Sequence, residues 1–174
     1  MLRLTLFRHA DAAPAGDGLE DFDRSLTERG QTAAGAMAHA MVAAGISPSL
    51  ILCSAAQRAR ESLACAAPIL RGDSRVEIEC ALYLASADTI FDRLRGIKST
   101  DTEVMVIGHN PGLHELALVL TEPVESEAYR NLAANFPTAA LAEIGFQAKR
   151  WTGMKRGHGI LRRFVTPRAL MQEG

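Results

Sequence analysis

The sequence lacks several features that would place it in a specialised class of protein. It has only three cysteines, Cys53, Cys65 and Cys80, and their odd number and irregular spacing favour reduced thiols over a disulfide framework or a metal site. No apolar run is long enough to span a bilayer. The apolar run at the amino terminus breaks at Arg8, too early for a signal peptide. These absences predict a cytoplasmic protein with no membrane association.

The sequence also has no excess of either charge. Lysine and arginine number 19, aspartate and glutamate number 20, and the net charge is −1. A general nucleic-acid binder would carry a strong basic excess, so no nucleic-acid partner is expected. Charged residues make up 22% and apolar residues 48% of the chain, as in an ordinary globular protein. The length of 174 residues fits one domain, predicted over residues 1–174.

Basic residues do collect towards the carboxyl end. This segment is either a solvated face or a docking strip for an acidic partner. Its members are Lys149, Arg150, Lys155, Arg156, Arg162, Arg163 and Arg168.

Strand and helix patterns alternate along the chain. Strands are predicted in the opening apolar run, which stops at the pair Arg8-His9, and at residues 49–53, 76–79 and 103–107, and helical patterns follow each of them. The alternation predicts an α/β fold, a three-layer sandwich in which a mostly parallel open sheet has helices on both faces. Beyond Pro123 the pattern weakens, and only two strands are predicted there, at 139–146 and 160–165, as a hairpin at the sheet edge.

The first helix has two possible starting points. Ser25 would make a capping box with Glu28, and Thr27 is the other candidate cap. Gly45 marks the end of this helix.

Three of the apolar runs lead into side chains suited to phosphate chemistry. The first ends at Arg8 and His9, the second is followed by Arg58, and a later one ends at His109. Carboxyl ends of parallel strands meet at one edge of an open sheet, where ligands bind. Arginine donates bidentate hydrogen bonds to phosphate, and a neutral imidazole is a competent nucleophile. The residues therefore predict phosphoryl transfer through a histidine, without specifying the substrate.

Four segments, in order along the chain, form a specific pattern. They are Phe7-Arg8-His9, the segment 24–30 (RSLTERG), the segment 54–62 (SAAQRARES) and Gly108-His109-Asn110-Pro111-Gly112. With them, the chain resembles the histidine phosphatase superfamily, and in particular its small phosphohistidine phosphatases of the SixA type. The resemblance spans nearly the whole chain, including the ending at residues 164–168 (FVTPR). It implies the phosphoglycerate mutase-like fold.

The resemblance also implies a role for each matching residue. His9 would be the nucleophile that becomes transiently phosphorylated. Arg8 and Arg58 would bind the phosphoryl oxygens, and His109 would complete the pocket and stabilise the transition state. Arg24 would bind phosphate at the mouth of the pocket. The resemblance implies no cofactor and no metal, since cationic side chains supply the charge.

Two departures from the family pattern bear on the chemistry. Ala10 stands where the family usually has glycine, which is tolerated if the backbone there has a negative φ. The segment 81–86 (ALYLAS) lacks the glutamate that serves the larger mutase and phosphomonoesterase relatives as general acid. An alkoxide leaving group needs such a donor, whose contribution is about 10²–10⁴-fold. A histidine can leave as imidazole with help from solvent, so the absence favours cleavage of P–N bonds.

We therefore expect a monomeric, metal-independent phosphohistidine phosphatase that acts on a phosphorylated partner protein, for example a histidine phosphotransfer domain. One alternative is a small-molecule phosphomonoesterase on the same scaffold, with Asp88, Glu79 or an acid of the 11–23 loop as proton donor. Another is a non-catalytic domain that binds phosphorylated partners, against which the presence of all four core residues argues. The acidic loop itself is either a solvated lid or a filter for basic substrates. Its acids are Asp17, Glu20, Asp21 and Asp23.

Overall fold

Six strands form a single mixed sheet. The computed structural model describes residues 1–16, 18–70, 73–98 and 100–170. The strands lie in the order β3-β2-β4-β1-β5-β6. Their bounds are β1 Leu2–Arg8, β2 Leu50–Ser54, β3 Arg75–Glu79, β4 Glu103–Gly108, β5 Leu141–Phe146 and β6 Ile160–Val165. The first four are mutually parallel, whereas β5 runs antiparallel to β1 and pairs with β6 as an antiparallel edge hairpin. The predicted hairpin at the edge is thus confirmed.

Helices cover both faces of this sheet. Their bounds are α1 Glu28–Ala43, α2 Gln57–Ala66, α3 Ala87–Arg95, α4 Gly112–Leu120, α5 Glu127–Ala134 and α6 Pro167–Leu170. The strand side chains contribute to two hydrophobic cores, one on each face of the sheet. Leu4 and Val106 pack with α3, α4 and α5 on one face. Phe7 and Ile107 pack with α1 and α2 on the other. The buried strands read as continuous apolar runs because both of their faces are covered. This architecture confirms the predicted three-layer α/β fold.

The structure decides the start of the first helix and adds two helices, α5 and α6, to the prediction. The Thr27 hydroxyl accepts a hydrogen bond from the Gly30 N–H, so Thr27 caps α1 and the alternative at Ser25 is wrong. Helix α5, capped by Ser126, was not predicted. Its only fully buried residue is Leu132, so it offers little of the apolar periodicity from which a helix is recognised.

The basic segment near the carboxyl end is partly paired with acids of the same chain. Arg156 contacts Asp88, and Arg163 contacts the buried Glu143. None of the helices in the described part of the chain has the length and apolar character that crossing a membrane requires.

Candidate active site

Three neighbouring strands end together at one edge of the sheet. Arg8 of β1 lies in register with Gly108 of β4, and Cys53 of β2 lies in register with Ile107 of β4. The residues that follow each strand therefore share one edge, as expected for parallel neighbours. A cavity of about 360 Å³ opens there. It is lined by Arg8, His9, Asp11, Ala12, Asp21, Arg24, Arg58, Leu84, His109, Asn110 and Thr138. All five residues singled out from the sequence thus line one cavity.

His9 is held in one tautomer by its own backbone neighbour. Its Nδ1 lies 2.7 Å from the Ala10 carbonyl oxygen, which can only accept, so Nδ1 carries the proton. The lone pair is then on Nε2, where the Arg58 Nε–H donates to it at 3.2 Å. The ring therefore presents its basic nitrogen beside a permanently charged guanidinium.

The surroundings of His9 keep this ring neutral. Burial lowers the pKa of His9 to about 4, and the positive charges of Arg58, Arg8 and Arg24 add to the effect. The hydrogen bond to the Ala10 carbonyl acts in the opposite direction but is outweighed. At neutral pH the imidazole is uncharged, which is the state that can attack phosphorus.

His109 lies beside His9 in the cavity, with its ring centroid 5.0 Å from that of His9. Its Nε2 is 2.7 Å from the hydroxyl of the buried Ser54, which in turn accepts from the Ala56 N–H. The Ser54 hydroxyl also has an O–H to donate, and its donation to Nε2 leaves the proton of His109 on Nδ1. Burial, followed by the influence of His9 and Arg58, lowers the pKa of His109 to about 3.

The two arginines of the sheet edge are fixed by carbonyl and carboxylate oxygens. Arg8 Nη1 donates to the Phe136 carbonyl at 2.8 Å. Arg58 is only 3% exposed, and besides His9 it contacts Asp21 twice, with Nη1 on the carbonyl and Nη2 on the carboxylate at 2.9 Å. Three of the five N–H donors of Arg58 are thereby used, and two remain.

Unpartnered polar atoms concentrate in this cavity. Within the described ranges, the buried side-chain atoms without a hydrogen-bond partner in the protein are Arg8 Nε, His109 Nδ1 and Asn110 Oδ1. All three belong to residues that line the cavity. Buried polar groups are normally paired. Two N–H donors left unpaired beside three arginines suit an anion with several oxygens.

Comparisons with known proteins identify the family. No protein-family model matches the sequence. The chain is 31% identical over 163 residues to an uncharacterised protein of Mycobacterium tuberculosis strain H37Rv, covering 92% of this chain and 99% of that protein. In structure it matches SixA of Agrobacterium tumefaciens, assigned as a phosphohistidine phosphatase, with a TM-score of 0.79 and 28% identity over 95% of this chain and 98% of that one. The chain belongs to the histidine phosphatase superfamily. It is therefore a phosphatase, a hydrolase of phosphate compounds.

Two further solved structures share the fold of this histidine phosphatase. SixA of Nakamurella multipartita, likewise assigned as a phosphohistidine phosphatase, matches with a TM-score of 0.83 and 24% identity, over 95% of this chain and 96% of that one. The protein histidine phosphatase SixA in complex with tungstate matches with a TM-score of 0.79 and 23% identity, over 97% and 99%. The expected phosphoglycerate mutase-like fold is confirmed.

The candidate proton donors of this histidine phosphatase are sorted by the structure. Glu79 is hydrogen-bonded to Arg93, and Asp88 is exposed and paired with Arg156, so neither lines the cavity. Of the donors that the phosphomonoesterase alternative names, these two therefore lie outside the cavity. From the 11–23 loop, Asp11 and Asp21 line the cavity, and Asp17 lies outside the described residues.

Ala10 fits in place of the usual glycine. Ala10 is fully buried, and its φ is not positive. The described non-glycine residues with positive φ are Leu84 and Ala139. Its N–H donates to the Ser62 hydroxyl at 2.9 Å. The added methyl group therefore packs in the core without backbone strain.

Two glycines of the family motifs are required by close approach. A Cβ at Gly30 would lie 2.1 Å from the Asp11 carbonyl oxygen, and one at Gly112 would lie 1.9 Å from that of Ala85. The backbone of α1 is therefore in close contact with the loop after His9, and the backbone of α4 with the segment before α3. Both contacts hold the walls of the cavity together.

Sequence reasoning assigned no role to Ser54, Tyr83 or Asn110. Ser54 and Asn110 stand inside motifs that were recognised, so their position next to the strand ends was the available signal. The Tyr83 hydroxyl donates to the Asp21 carboxylate at 2.7 Å, and its ring meets that of His109 edge-on. Nothing in the local sequence around Tyr83 indicates this long-range contact.

Metal ligands are not clustered in this histidine phosphatase. In the residues that the structure describes, no group of three or more histidine, cysteine, aspartate or glutamate side chains is placed to hold a metal ion.

Proposed function

We propose that this protein is a metal-independent phosphohistidine phosphatase, which removes phosphate from a histidine of a partner protein by way of a phosphorylated His9. The observation that carries the proposal is the hydrogen bonding of His9, whose Nδ1–H is on the Ala10 carbonyl and whose Nε2 lone pair is beside Arg58, in a cavity whose carboxyl groups, Asp11 and Asp21, are paired with arginines. In this state His9 can attack phosphorus, but the two carboxylates cannot donate a proton to an alkoxide leaving group.

The first step is attack by His9. Its Nε2 lone pair faces the Arg58 guanidinium, and its Nδ1–H is anchored on the Ala10 carbonyl. As the Nε2–P bond forms, positive charge develops on the ring, and the Ala10 carbonyl oxygen stabilises the N–H that carries it. Water then cleaves the phosphorylated ring and regenerates the enzyme.

The phosphoryl oxygens would be held by donors that have no other partner. Arg8 Nε and His109 Nδ1 are buried and unpaired, and Arg58 has two N–H groups to spare. Donors of this kind stabilise charge at the equatorial oxygens in the transition state, because they are already oriented before reaction. Arg24, held by Asp21 and by the Ala13 carbonyl, lies at the rim and would meet the incoming anion.

The leaving group decides between P–N and P–O cleavage. Hydrogen bonds from Tyr83 and Arg24 hold the pKa of Asp21 well below its usual value. Partial burial acts to raise the pKa of Asp11, but hydrogen bonds from Arg29 and Thr27 outweigh it and lower the pKa. Both groups are carboxylates at neutral pH and cannot donate a proton. A histidine leaving group tolerates this, whereas an alkoxide does not.

The surface beside the cavity suits a protein substrate. An apolar groove of about 790 Å³ adjoins the cavity and shares Asp11 and Thr138 with it. It runs between α1, the residues 135–139 and α6. A phosphorylated histidine on a protein surface brings flanking residues with it, and a groove of this size can receive them.

Side-by-side kinetics at neutral pH test the proposal. The substrates are a phosphohistidine-containing phosphotransfer domain, a sugar phosphate and a nucleotide. We expect the phosphohistidine protein to have the highest kcat/KM by a wide margin. A small phosphomonoester that is turned over faster would establish the phosphomonoesterase alternative, and binding of the phosphoprotein without turnover would establish the non-catalytic one.

Metal independence is tested separately. Activity should be unchanged after extended dialysis against a chelator. Inactivation that one divalent cation reverses would contradict the metal-independent mechanism.

A further inference from the structure

Among the described residues, Asp21 is the acidic side chain that contacts both Arg58 and Arg24 at the cavity. It begins a single 3₁₀ turn, Asp21–Asp23, and lines the cavity on the side away from the sheet edge. Its Oδ1 accepts from Arg24 at 2.9 Å, and its Oδ2 accepts from Arg58 at 2.9 Å and from the Tyr83 hydroxyl at 2.7 Å. Three donors therefore fix the orientation of this carboxylate.

The same carboxylate keeps room for one more donor. A carboxylate oxygen has two lone-pair directions, so Oδ2 is filled by Arg58 and Tyr83 while Oδ1 has one direction left. The Asp21 side chain is 45% exposed and lines the cavity, so the remaining direction is accessible to a substrate.

Arg58 connects this carboxylate to the nucleophile. Its Nε donates to His9 Nε2 and its Nη2 donates to Asp21 Oδ2. The attacking nitrogen and the carboxylate are thus separated by the width of one guanidinium group. A phosphohistidine in line with His9 places its phosphorus and then its imidazole ring beyond Nε2, in the cavity that Asp21 lines.

We propose that Asp21 selects phosphohistidine by accepting a hydrogen bond from the ring N–H of the substrate that does not carry the phosphoryl group. The inference rests on the proposed function and deepens it, since it assigns a residue to recognition of the leaving group. The hydrogen bond keeps the phosphorylated ring in its protonated, imidazolium form, because a carboxylate beside an N–H favours the charged state of that ring.

This contact removes the need for a general acid. His9 Nε2 forms a bond to phosphorus as the P–N bond of the substrate breaks, and the electron pair of that bond returns to the substrate nitrogen. The substrate ring leaves as neutral imidazole, with its proton on the far nitrogen held by Asp21. No proton is transferred in the step, and charge passes from the substrate ring to the ring of His9.

An alkyl phosphate gains nothing from the same carboxylate. Its leaving oxygen needs a proton that Asp21 does not carry, and two negative charges at the rim repel each other. Asp21 therefore promotes cleavage of P–N bonds and opposes cleavage of P–O bonds.

The test compares Asp21→Asn with the wild-type protein on two substrates, a phosphohistidine peptide and para-nitrophenyl phosphate, whose leaving group needs no proton. The kcat/KM value reports steps up to and including transfer to His9. We expect the variant to lose roughly 10- to 100-fold on the peptide, the effect of one hydrogen bond to a charged group. On para-nitrophenyl phosphate the loss should be smaller, because the variant perturbs Arg58 and Arg24 for both substrates but removes a leaving-group contact only from the peptide, so the ratio of the two kcat/KM values should fall about tenfold or more.

Asp23→Asn is the matched control, because Asp23 lies in the same turn, is exposed and does not line the cavity. It should leave both substrates unaffected. If Asp21→Asn does not fold, as judged by thermal unfolding, the pair Asp21→Glu and Asp21→Gln gives the same comparison of charge. Equal losses on the two substrates, or no loss on the peptide, would overturn the role of Asp21. A wild-type protein that hydrolyses only para-nitrophenyl phosphate would overturn the proposed function and this inference with it.

Discussion

The two walls of the cavity are built in different ways. The sheet-edge wall carries His9, Arg58 and His109, which are at most 8% exposed and follow strands or begin a helix. The opposite wall is the loop after β1, whose Asp21 and Arg24 are half-buried and held by each other. Helices and strands position the first set, while the second set depends on hydrogen bonds within a loop, and sites on regular elements are held more precisely than sites on loops.

We infer from this difference that the two walls have different roles. The buried wall holds two neutral imidazoles and the unpaired donors that a phosphoryl group needs, so it suits phosphorus chemistry in general. In the proposed mechanism the carboxylate of the loop wall meets the leaving group, so this wall would govern the choice of substrate. Substitutions in the first wall should impair every substrate, and substitutions in the second should change the preference among substrates.

Substitution of His9, the proposed nucleophile, should have the largest effect. His9→Ala should lower kcat by at least about 10³-fold on all substrates, because no other described side chain presents a neutral nucleophilic nitrogen beside Arg58. With labelled substrate and a quench that avoids acid, the wild-type protein should carry phosphate on His9. Label on a different residue, or near-normal rates for the variant, would contradict the assignment. The exposed His39→Ala is the control.

Two arginines of one helix should differ sharply. Arg58→Ala should cost about 10²-fold or more in kcat/KM on every substrate, since charge in a buried site is left uncompensated. Arg60→Ala should be mild, because Arg60 is exposed and does not line the cavity. Steady-state kinetics of the two variants decide the matter. A larger loss at Arg60 would mean that the sheet-edge wall has been wrongly assigned.

Ser54 should have a smaller effect, through His109. Ser54→Ala removes the hydroxyl that orients His109 and leaves its Nε2 without a partner, so we expect about a tenfold loss in kcat/KM on all substrates. Ser54→Thr keeps the hydroxyl and should retain most of the activity. Imidazole NMR should show the Nδ1–H tautomer of His109 in the wild-type protein and a mixture in the Ala variant. An unchanged tautomer with lost activity would speak against this route.

The smallest expected effect is on the protonation state of His9, whose ring should stay neutral between pH 8 and 5. Because the pKa of His9 is lowered to about 4, nitrogen-detected NMR should show a neutral ring over this interval. The unfolded chain protonates a histidine near pH 6.5. The folded state therefore loses stability as the pH falls from about 6.5 towards 4, and His9 has no such effect above that interval. If His9 is protonated near its ordinary pKa instead, the ring is more exposed to water than the 8% seen in the structure.

Much of the fold was predictable from local patterns. The apolar runs that end at Arg8, Ser54 and Gly108 are long enough, and flanked clearly enough, to be recognised as buried strands. Helix α5 was missed because it buries little, and the cap of α1 was ambiguous because Ser25 and Thr27 both have a suitable hydroxyl. The local sequence is compatible with either cap. In the structure Thr27 is the cap, and Gly30 of the same turn packs against the Asp11 backbone.

By itself, the sequence determined the strand-helix alternation and which side chains stand at the strand ends, because both follow from periodicity along the chain. It also determined the absence of an acid in residues 81–86. Only the tertiary structure decided that Glu79 and Asp88 lie outside the cavity and that Asp21 lies within it, held by Tyr83, a residue 62 positions away. Contacts at such separations depend on how loops fold back over the sheet, and nothing in the local sequence encodes that path. The tautomer of His9 and the lowered pKa values belong to the same class, because burial and neighbouring charges exist only once the chain has folded.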